Sequence, residues 1–127
     1  MAIEKDRSHQ TLSGVNATLP DAFVSILEID ATGIDVHTFE IENTDAADSL
    51  DYRIDYALDD VPTGSPTWFA GGIKAATSLA ATVKATESTA VYCTGLRVMA
   101  ENTTPASVSG IAVRYNGKRH YVTQEDL

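Results

Sequence analysis

The sequence predicts an all-β chain folded as an antiparallel two-sheet sandwich of roughly seven to nine strands. Three observations predict this fold class. Residues 50–58 alternate between apolar and polar side chains, several other short apolar segments are separated by turn residues, and little of the chain has a helical period. An open sheet would leave an apolar face uncovered, so two packed layers fit the pattern best. A small β-barrel is the alternative.

In the first half of the chain, the local pattern of apolar and turn residues predicts four strands. Residues 11–19 alternate weakly and end at a Pro-Asp turn signal, 23–29 are apolar and partly β-branched, and 34–42 place two large apolar side chains on one face. Residues 50–58 give the clearest strand, because a period of two is expected where one face packs and the other meets water. The residues on its predicted inner face are Leu50, Tyr52, Ile54, Tyr56 and Leu58.

The middle of the chain is harder to interpret. Residues 59–66 contain two prolines and a glycine and predict a loop, and 67–69 predict a short strand that Gly71-Gly72 ends. Residues 73–85 are ambiguous, because their alanines suit a helix whereas their threonines and valine resist one. A strand over 79–84 is favoured there.

The last third predicts two long strands, at 91–101 and 107–115. Asn116-Gly117 is typical of a two-residue type I′ hairpin turn, after which residues 120–123 would pair back. Residues 1–10 are predicted to be a flexible, polar N-terminal arm, and 11–127 a single β-sandwich domain.

Composition bounds the functional classes. The 127 residues include 43% hydrophobic residues, which predicts a packed core, and carry a net charge of −9. Such a surface repels phosphate, so neither nucleic acid nor an anionic membrane is an expected partner. The N-terminus has no apolar signal-peptide core, and the single cysteine allows no internal disulfide. We therefore expect synthesis and folding in a cytoplasm.

Catalytic and metal-binding patterns are weak. His9, His37, His120 and Cys93 lie in separate segments without zinc-ligand spacing, and no nucleophile motif occurs. We predict no enzyme activity, no cofactor and no small-molecule substrate, with Cys93 as a packing residue. The best cluster for calcium lacks the spacing of an EF-hand and is expected to be a solvated acidic loop. Its members are Asp45, Asp48, Asp51, Asp59 and Asp60.

Three segments resemble the middle and end of a fibronectin type III or related immunoglobulin-like (Ig-like) module. Residues 50–58, followed by an acidic turn and Thr67-Trp68-Phe69, resemble a Tyr-rich strand leading into a Trp-bearing strand. Residues 88–102 end in Gly-Leu-Arg-Val-Met-Ala-Glu-Asn, which resembles the penultimate strand, and 107–115 resemble the closing strand. The resemblance implies an Ig-like sandwich.

The whole chain is also similar in style to small virion proteins of tailed bacteriophages, especially capsid decoration (cement) proteins. It is short and acidic, with a polar arm, one β-domain and many Ala, Thr and Ser residues. This resemblance implies a non-enzymatic structural protein on the capsid surface. Its expected partner is the major capsid protein or another virion protein, and it is expected to form a homo-oligomer, a dimer or trimer. A head–tail or tail accessory protein is one alternative.

Candidate partner-binding residues come from three regions. The arm contributes an apolar residue and basic groups, Trp and Phe follow the proline-rich loop, and basic residues gather near Asn116-Gly117 on an otherwise acidic chain. The candidates are Ile3, Lys5, Arg7, His9, Trp68, Phe69, Arg114, Lys118 and Arg119.

A second alternative function is that of a carbohydrate-binding or adhesion module. Such a module would stack sugars on Trp68, Tyr52 or Tyr56 and hold calcium in the acidic loop.

Overall fold

The computed structural model describes residues 9–59, 66–103 and 109–119, which form eight strands and no helix. The strands are β1 (His9–Asn16), β2 (Val24–Asp30), β3 (Val36–Asn43), β4 (Leu50–Ala57), β5 (Trp68–Leu79), β6 (Lys84–Ala90), β7 (Gly95–Asn102) and β8 (Ile111–Lys118). Within these residues there is no helix long and apolar enough to cross a membrane.

The strands pair into two four-stranded antiparallel sheets. Sheet 1 has the order β1-β8-β3-β6, and sheet 2 has the order β2-β7-β4-β5. The predicted two-sheet sandwich is therefore confirmed, and the strands do not close into the alternative small β-barrel.

The strand order is that of an eight-stranded jelly roll, in which two Greek keys interlock. An Ig domain instead places its strands in the order ABED on one sheet and CFG on the other. The Ig-like detail of the prediction is thus corrected to a jelly-roll connectivity. The reason is that alternation within a strand predicts which face is buried, whereas it contains no information about which strand lies alongside.

The core lies between the sheets and is built from the inner faces of the central strands. β3 and β8 in sheet 1 face β4 and β7 in sheet 2, and the alternation in β4 holds as predicted from Leu50 to Ile54. Beyond Ile54 the prediction is wrong, because Asp55 and Ala57 are buried and Leu58, after the end of the strand, is 57% exposed. The largest fully buried side chains are Tyr52, Tyr115, Phe39, Leu19, Ile29, Ile41, Leu50, Ile54, Leu96, Ile111, His37 and Val98.

The middle of the chain differs from the prediction. β5 does not end at Gly71-Gly72 but continues to Leu79, and the register against β4 shifts on both sides of Ile54. These shifts are β-bulges, where extra residues on one strand bend it. A Cβ on Gly72 would lie 2.2 Å from Tyr56 Cε1, and Gly71 has φ +67°, so glycines are required in the bulge.

The prediction of a strand over 79–84 is also wrong. Residues 80–83 form the connection between β5 and β6, with Thr82 in the left-handed region at φ 66° and the Val83 N–H donating to Ala80 O at 3.1 Å. Both flanking segments are strands, so the helical alternative for 73–85 is wrong too. Small Ala, Thr and Ser residues obscure the period because the outer side of each strand needs no large apolar group.

The end of the chain brings a further correction. Asn116-Gly117 is not a hairpin turn, because β8 runs through both residues to Lys118 and pairs with β1 and β3. A Cβ on Gly117 would lie 2.1 Å from the Tyr115 hydroxyl, so this glycine provides space for a buried tyrosine. β7 and β8 start at Gly95 and Ile111, later than the predicted 91 and 107. Residues 120–123 lie outside the described residues.

Candidate protein-binding surface

The outer face of sheet 2 carries an ordered group of charged and aromatic side chains. Because Leu50, Tyr52 and Ile54 point into the core, alternation directs Asp51, Arg53 and Asp55 outward. The register then places Asp55 directly opposite Arg97 of β7. Arg53 and Asp55 thereby come together on one face with Arg97, which is distant from them in sequence.

Asp55 is the centre of this group and is completely buried although it belongs to the outer face. Its Oδ1 accepts from Arg53 Nε at 3.0 Å and from the Gly71 backbone N–H at 2.7 Å, and its Oδ2 accepts from Arg97 Nε at 2.8 Å. The bulge in β5 positions the Gly71 donor. A buried carboxylate with two cations and a backbone donor is fully compensated, and it fixes both guanidinium groups.

An aromatic ring lies against each guanidinium. Arg53 Cζ lies 4.5 Å from the centre of the Phe23 ring, and Arg97 Cζ lies 4.5 Å from the centre of the Trp68 ring. Cation–π contacts of this kind add to the ion pairs and further restrict the side chains. We call Phe23, Arg53, Asp55, Arg97 and Trp68 the arginine–aromatic row.

The row is partly open to a partner. The Arg53 and Arg97 side chains are 21% and 19% exposed, and Phe23 and Trp68 are half-buried. Arginine and tryptophan are the residue types enriched at binding hot spots, and prior ordering lowers the entropy cost of association. The arrangement is suited to recognition of another protein.

Acidic side chains surround the row. Glu28 lies opposite Arg97 on the β2 side, and Asp51 of β4 lies directly opposite Glu101 of β7. Directly opposed like charges on one face destabilise an isolated sheet. A partner with basic groups would relieve this repulsion while its apolar groups cover Phe23 and Trp68.

The candidates from the proline-rich region lie close to each other but on different surfaces. Trp68 belongs to the row, whereas Phe69 points the other way, is 44% exposed and stacks on Tyr56 at 4.7 Å between ring centres. Phe69 also lines an open surface groove with Leu58 and Thr67.

The predicted basic cluster is not brought together. Arg114 lies in the middle of the outer face of sheet 1, where it forms ion pairs with Glu40 and with Glu42, the latter at 3.8 Å. Lys118 lies four residues further along the same strand, about 13 Å away, and Arg119 Nε donates to Gly33 O at 3.0 Å. The physical reason is that β8 is extended where a hairpin was predicted.

The predicted arm is mostly outside the described residues. Ile3, Lys5 and Arg7 fall there, and so does the side chain of His9, although its backbone and Gln10 belong to β1.

Of the three residues considered for stacking sugars, Tyr52 is enclosed by the fold. Tyr52 is 2% exposed, and its hydroxyl donates a hydrogen bond to the Glu87 carboxylate. The same carboxylate forms an ion pair with Lys74 Nζ at 3.6 Å. Burial, together with the bond to Glu87, raises the pKa of Tyr52 far above its ordinary value. Tyr52 therefore links the two sheets from inside and offers no face to a ligand.

Two of the acidic residues considered for calcium, Asp45 and Asp59, accept hydrogen bonds from the backbone of their own loops. Asp45 Oδ2 accepts from the N–H groups of Ala47 and Asp48 at 2.9 and 2.7 Å, which lowers the pKa of Asp45, and Asp59 Oδ2 accepts from Thr67 N at 2.9 Å. In the part of the chain that the structure describes, no three His, Cys, Asp or Glu side chains form a group able to hold a metal ion. Asp60 lies outside that part.

The buried histidine and cysteine are in structural environments. His37 is fully buried, with Nδ1 2.7 Å from the Tyr115 hydroxyl and Nε2 3.2 Å from Val91 O. This pattern suits a neutral ring that donates from Nε2 and accepts at Nδ1, and burial lowers its pKa. Burial raises the pKa of the Cys93 thiol to about 11, so little reactive thiolate exists at neutral pH.

Sequence reasoning missed four members of the row: Phe23, Arg53, Asp55 and Arg97. The available signal was the outward position of Arg53 and Asp55 in the alternating segment. Asp55 contacts Arg97 only because β4 pairs with β7. The Gly71 N–H reaches Asp55 through a bulge in β5 that no local pattern predicts.

Comparison with known proteins identifies the fold but no sequence family. No protein-family model matches the chain, and no curated protein matches it significantly in sequence. Among solved structures, PirA is similar with a TM-score of 0.52 and 12% identity, over 86% of this chain and 93% of that one. A chain of the infectious bursal disease virus (IBDV) particle has a TM-score of 0.51 and 8% identity, over 88% of this chain and 31% of the viral chain. At these identities, the likeness shows a shared fold alone.

Proposed function

We propose that this protein is a non-enzymatic structural component of a virus particle, which binds the outer surface of a tailed-phage head as a decoration (cement) protein. Its partner is the major capsid protein or another virion protein. The observation that carries the proposal is the arginine–aromatic row, a rigid set of hot-spot residue types on the outer face of sheet 2.

Two further observations support a virion role. The jelly-roll strand order is one that viral capsid domains use, and a chain of the IBDV viral particle has a similar fold. The chain also resembles phage decoration proteins in length, acidity and composition.

A binding role fits the chemistry better than catalysis does. A general base or nucleophile should be accessible and have a pKa near the working pH. His37 and Cys93 are buried instead, and burial moves the pKa of each toward its neutral form. Among the described residues, every buried side-chain polar atom has a hydrogen-bond partner, which is typical of a structural interior.

The surface also defines the chemistry of the partner. The arginines are already neutralised in part by Asp55, so the rim of Glu28, Asp51 and Glu101 makes the face acidic. A complementary capsid surface would present Lys or Arg side chains around an apolar centre. Many equivalent sites on a capsid would strengthen a modest affinity if the protein binds as an oligomer.

The test is co-sedimentation of the purified protein with capsids assembled from the major capsid protein of the same genome. Trp68→Ala removes an aromatic anchor but leaves the Asp55 ion pairs intact, and it should weaken binding about 30-fold, as expected for a hot spot. Tyr92→Ala is the matched control, because Tyr92 is 77% exposed and lies in the β6–β7 connection. It should change affinity less than about 3-fold.

Three outcomes would contradict the proposal. They are no saturable binding of the unaltered protein, unchanged binding of a folded Trp68→Ala variant, and binding to assembled connectors or tails without binding to shells. The last outcome would support the head–tail or tail accessory alternative. Circular dichroism of each variant establishes that it is folded.

A further inference from the structure

The outer face of sheet 1 carries short polar side chains around a smaller number of charged ones. β8 and β3 form its centre, and β1 and β6 form its edges. Across the sheet, the register aligns four full rows of outward positions in the order β1, β8, β3, β6, and in three of them the structure describes every side chain. These three rows are Thr11–Asn116–Thr38–Ser88, Ser13–Arg114–Glu40–Thr86 and Val15–Ala112–Glu42–Lys84.

The charges at the centre of this face are arranged as a pair. Arg114 lies directly opposite Glu40 on the neighbouring strand and also contacts Glu42. The side chains of Arg114 and Glu40 are 59% and 38% exposed, so both still have capacity for another partner. Basic charge thus lies on one central strand and acidic charge on the other.

We propose that this face binds the same face of a second copy of the chain. The two copies are related by a two-fold axis that lies in the plane of the interface, parallel to the strands and above the midline between β8 and β3. Such an axis exchanges the positions of β8 and β3 and preserves the height along the strand. Arg114 of each copy therefore lies over Glu40 of the other, and two equivalent intermolecular ion pairs form.

The remaining rows also fit this arrangement. Asn116 of one copy lies over Thr38 of the other, where amide and hydroxyl groups can exchange hydrogen bonds. Val15, which is 73% exposed, lies over the aliphatic stem of Lys84 of the other copy. Short side chains allow the two sheets to approach to about 10 Å, the usual spacing of packed sheets.

The size of the face predicts a weak dimer. Three strands of eight residues and one of seven cover on the order of 500 Å², compared with about 800 Å² per partner in a standard interface. The dimer should therefore form reversibly in the micromolar to millimolar range and gain strength where copies are held at high local concentration. The inference does not rest on capsid binding, because it uses sheet 1 and the arginine–aromatic row lies on sheet 2.

Sedimentation equilibrium over roughly 1 μM to 1 mM tests the proposal. The unaltered protein should shift from 13.6 kDa toward twice that mass. Arg114→Glu and Glu40→Arg should each abolish the shift, because each places like charges in contact in the dimer. An equimolar mixture of the two variants should form a heterodimer, since the acidic pair of side chains on one variant then faces the basic pair on the other at both contacts.

The mixing experiment separates intermolecular from intramolecular pairing. Each variant loses its own Arg114–Glu40 pair, so a merely structural role would leave the mixture as defective as its parts. Arg119→Glu is the matched control, because Arg119 lies beyond β8 against Gly33 and should leave the dimer unchanged. An unaltered protein that stays monomeric, single variants that still dimerise, or a mixture that stays monomeric would each overturn the proposal.

Discussion

Replacement of Asp55 by alanine tests the physical basis of the arginine–aromatic row. The substitution removes a fully buried carboxylate, leaves the Arg53 and Arg97 guanidiniums without their shared anion, and leaves the Gly71 N–H without an acceptor. Loss of one partner from a buried ion pair costs about 3–5 kcal/mol. Because the two arginine side chains are 21% and 19% exposed, water can re-solvate them in part, so we expect about 3 kcal/mol.

The assay is urea and thermal unfolding, each followed by Trp68 fluorescence and circular dichroism. For a domain of this size, about 3 kcal/mol corresponds to a fall in Tm of roughly 10 °C. Asp55→Asn should cost less, about 1.5–2 kcal/mol, because its carbonyl still accepts from Gly71 while its charge is lost.

Asp51→Ala is the matched control, because it removes an outward carboxylate from the same strand. Asp51 lies opposite Glu101, so its removal relieves repulsion and should change stability by less than about 0.5 kcal/mol or increase it slightly. A loss below about 1 kcal/mol for Asp55→Ala, or an equal loss for Asp51→Ala, would refute the view that a buried ionic centre organises this face.

Two further predictions concern the interior at the other sheet. Gly117→Ala should destabilise the fold by about 2–3 kcal/mol, because the new Cβ would displace the Tyr115 hydroxyl from His37 Nδ1. Thermal melting should show this loss of stability. Asn116→Ala, which changes the exposed neighbouring residue, should not show it. Burial lowers the pKa of His37 in the folded state below 6.5, so the unfolded chain binds more protons than the folded chain below that pH. The contribution of His37 to the free energy of unfolding should therefore be constant above pH 6.5 and fall as the pH decreases toward the folded pKa. Urea unfolding at about pH 7.5 and about pH 5.5 measures the fall, and His37→Gln should reduce it; an unchanged pH dependence in that variant would contradict the assignment.

The sequence predicted β4 because its pattern is local. Apolar residues at every second position leave one face to be buried whatever lies against it, and Leu50, Tyr52 and Ile54 are all buried. The same reasoning placed β2 and β3 within one or two residues of their observed bounds.

Local signals failed where tertiary contacts impose different requirements. Gly71-Gly72 and Asn116-Gly117 both predicted the end of a strand, but each lies within one. Gly72 leaves room for the Tyr56 ring and Gly117 for the Tyr115 hydroxyl, so these glycines reflect packing of a neighbour rather than a turn.

The candidate surface could be predicted only in part for a similar reason. Trp68 was a candidate from its residue type and its position after the proline-rich loop. Phe23 and Arg97 acquire their roles from β2–β7–β4 pairing, which joins residues many positions apart in the chain.

The amino-acid sequence by itself determined that this protein is a two-layered all-β domain with an acidic surface, because alternation and charge are properties of each segment alone. Tertiary structure decided the jelly-roll order, the bulge at Gly71 and the burial of Asp55 between two arginines. The physical reason is that strand neighbours are selected by the combined packing of all eight strands. A pattern within any one strand specifies its buried face but leaves its partners open.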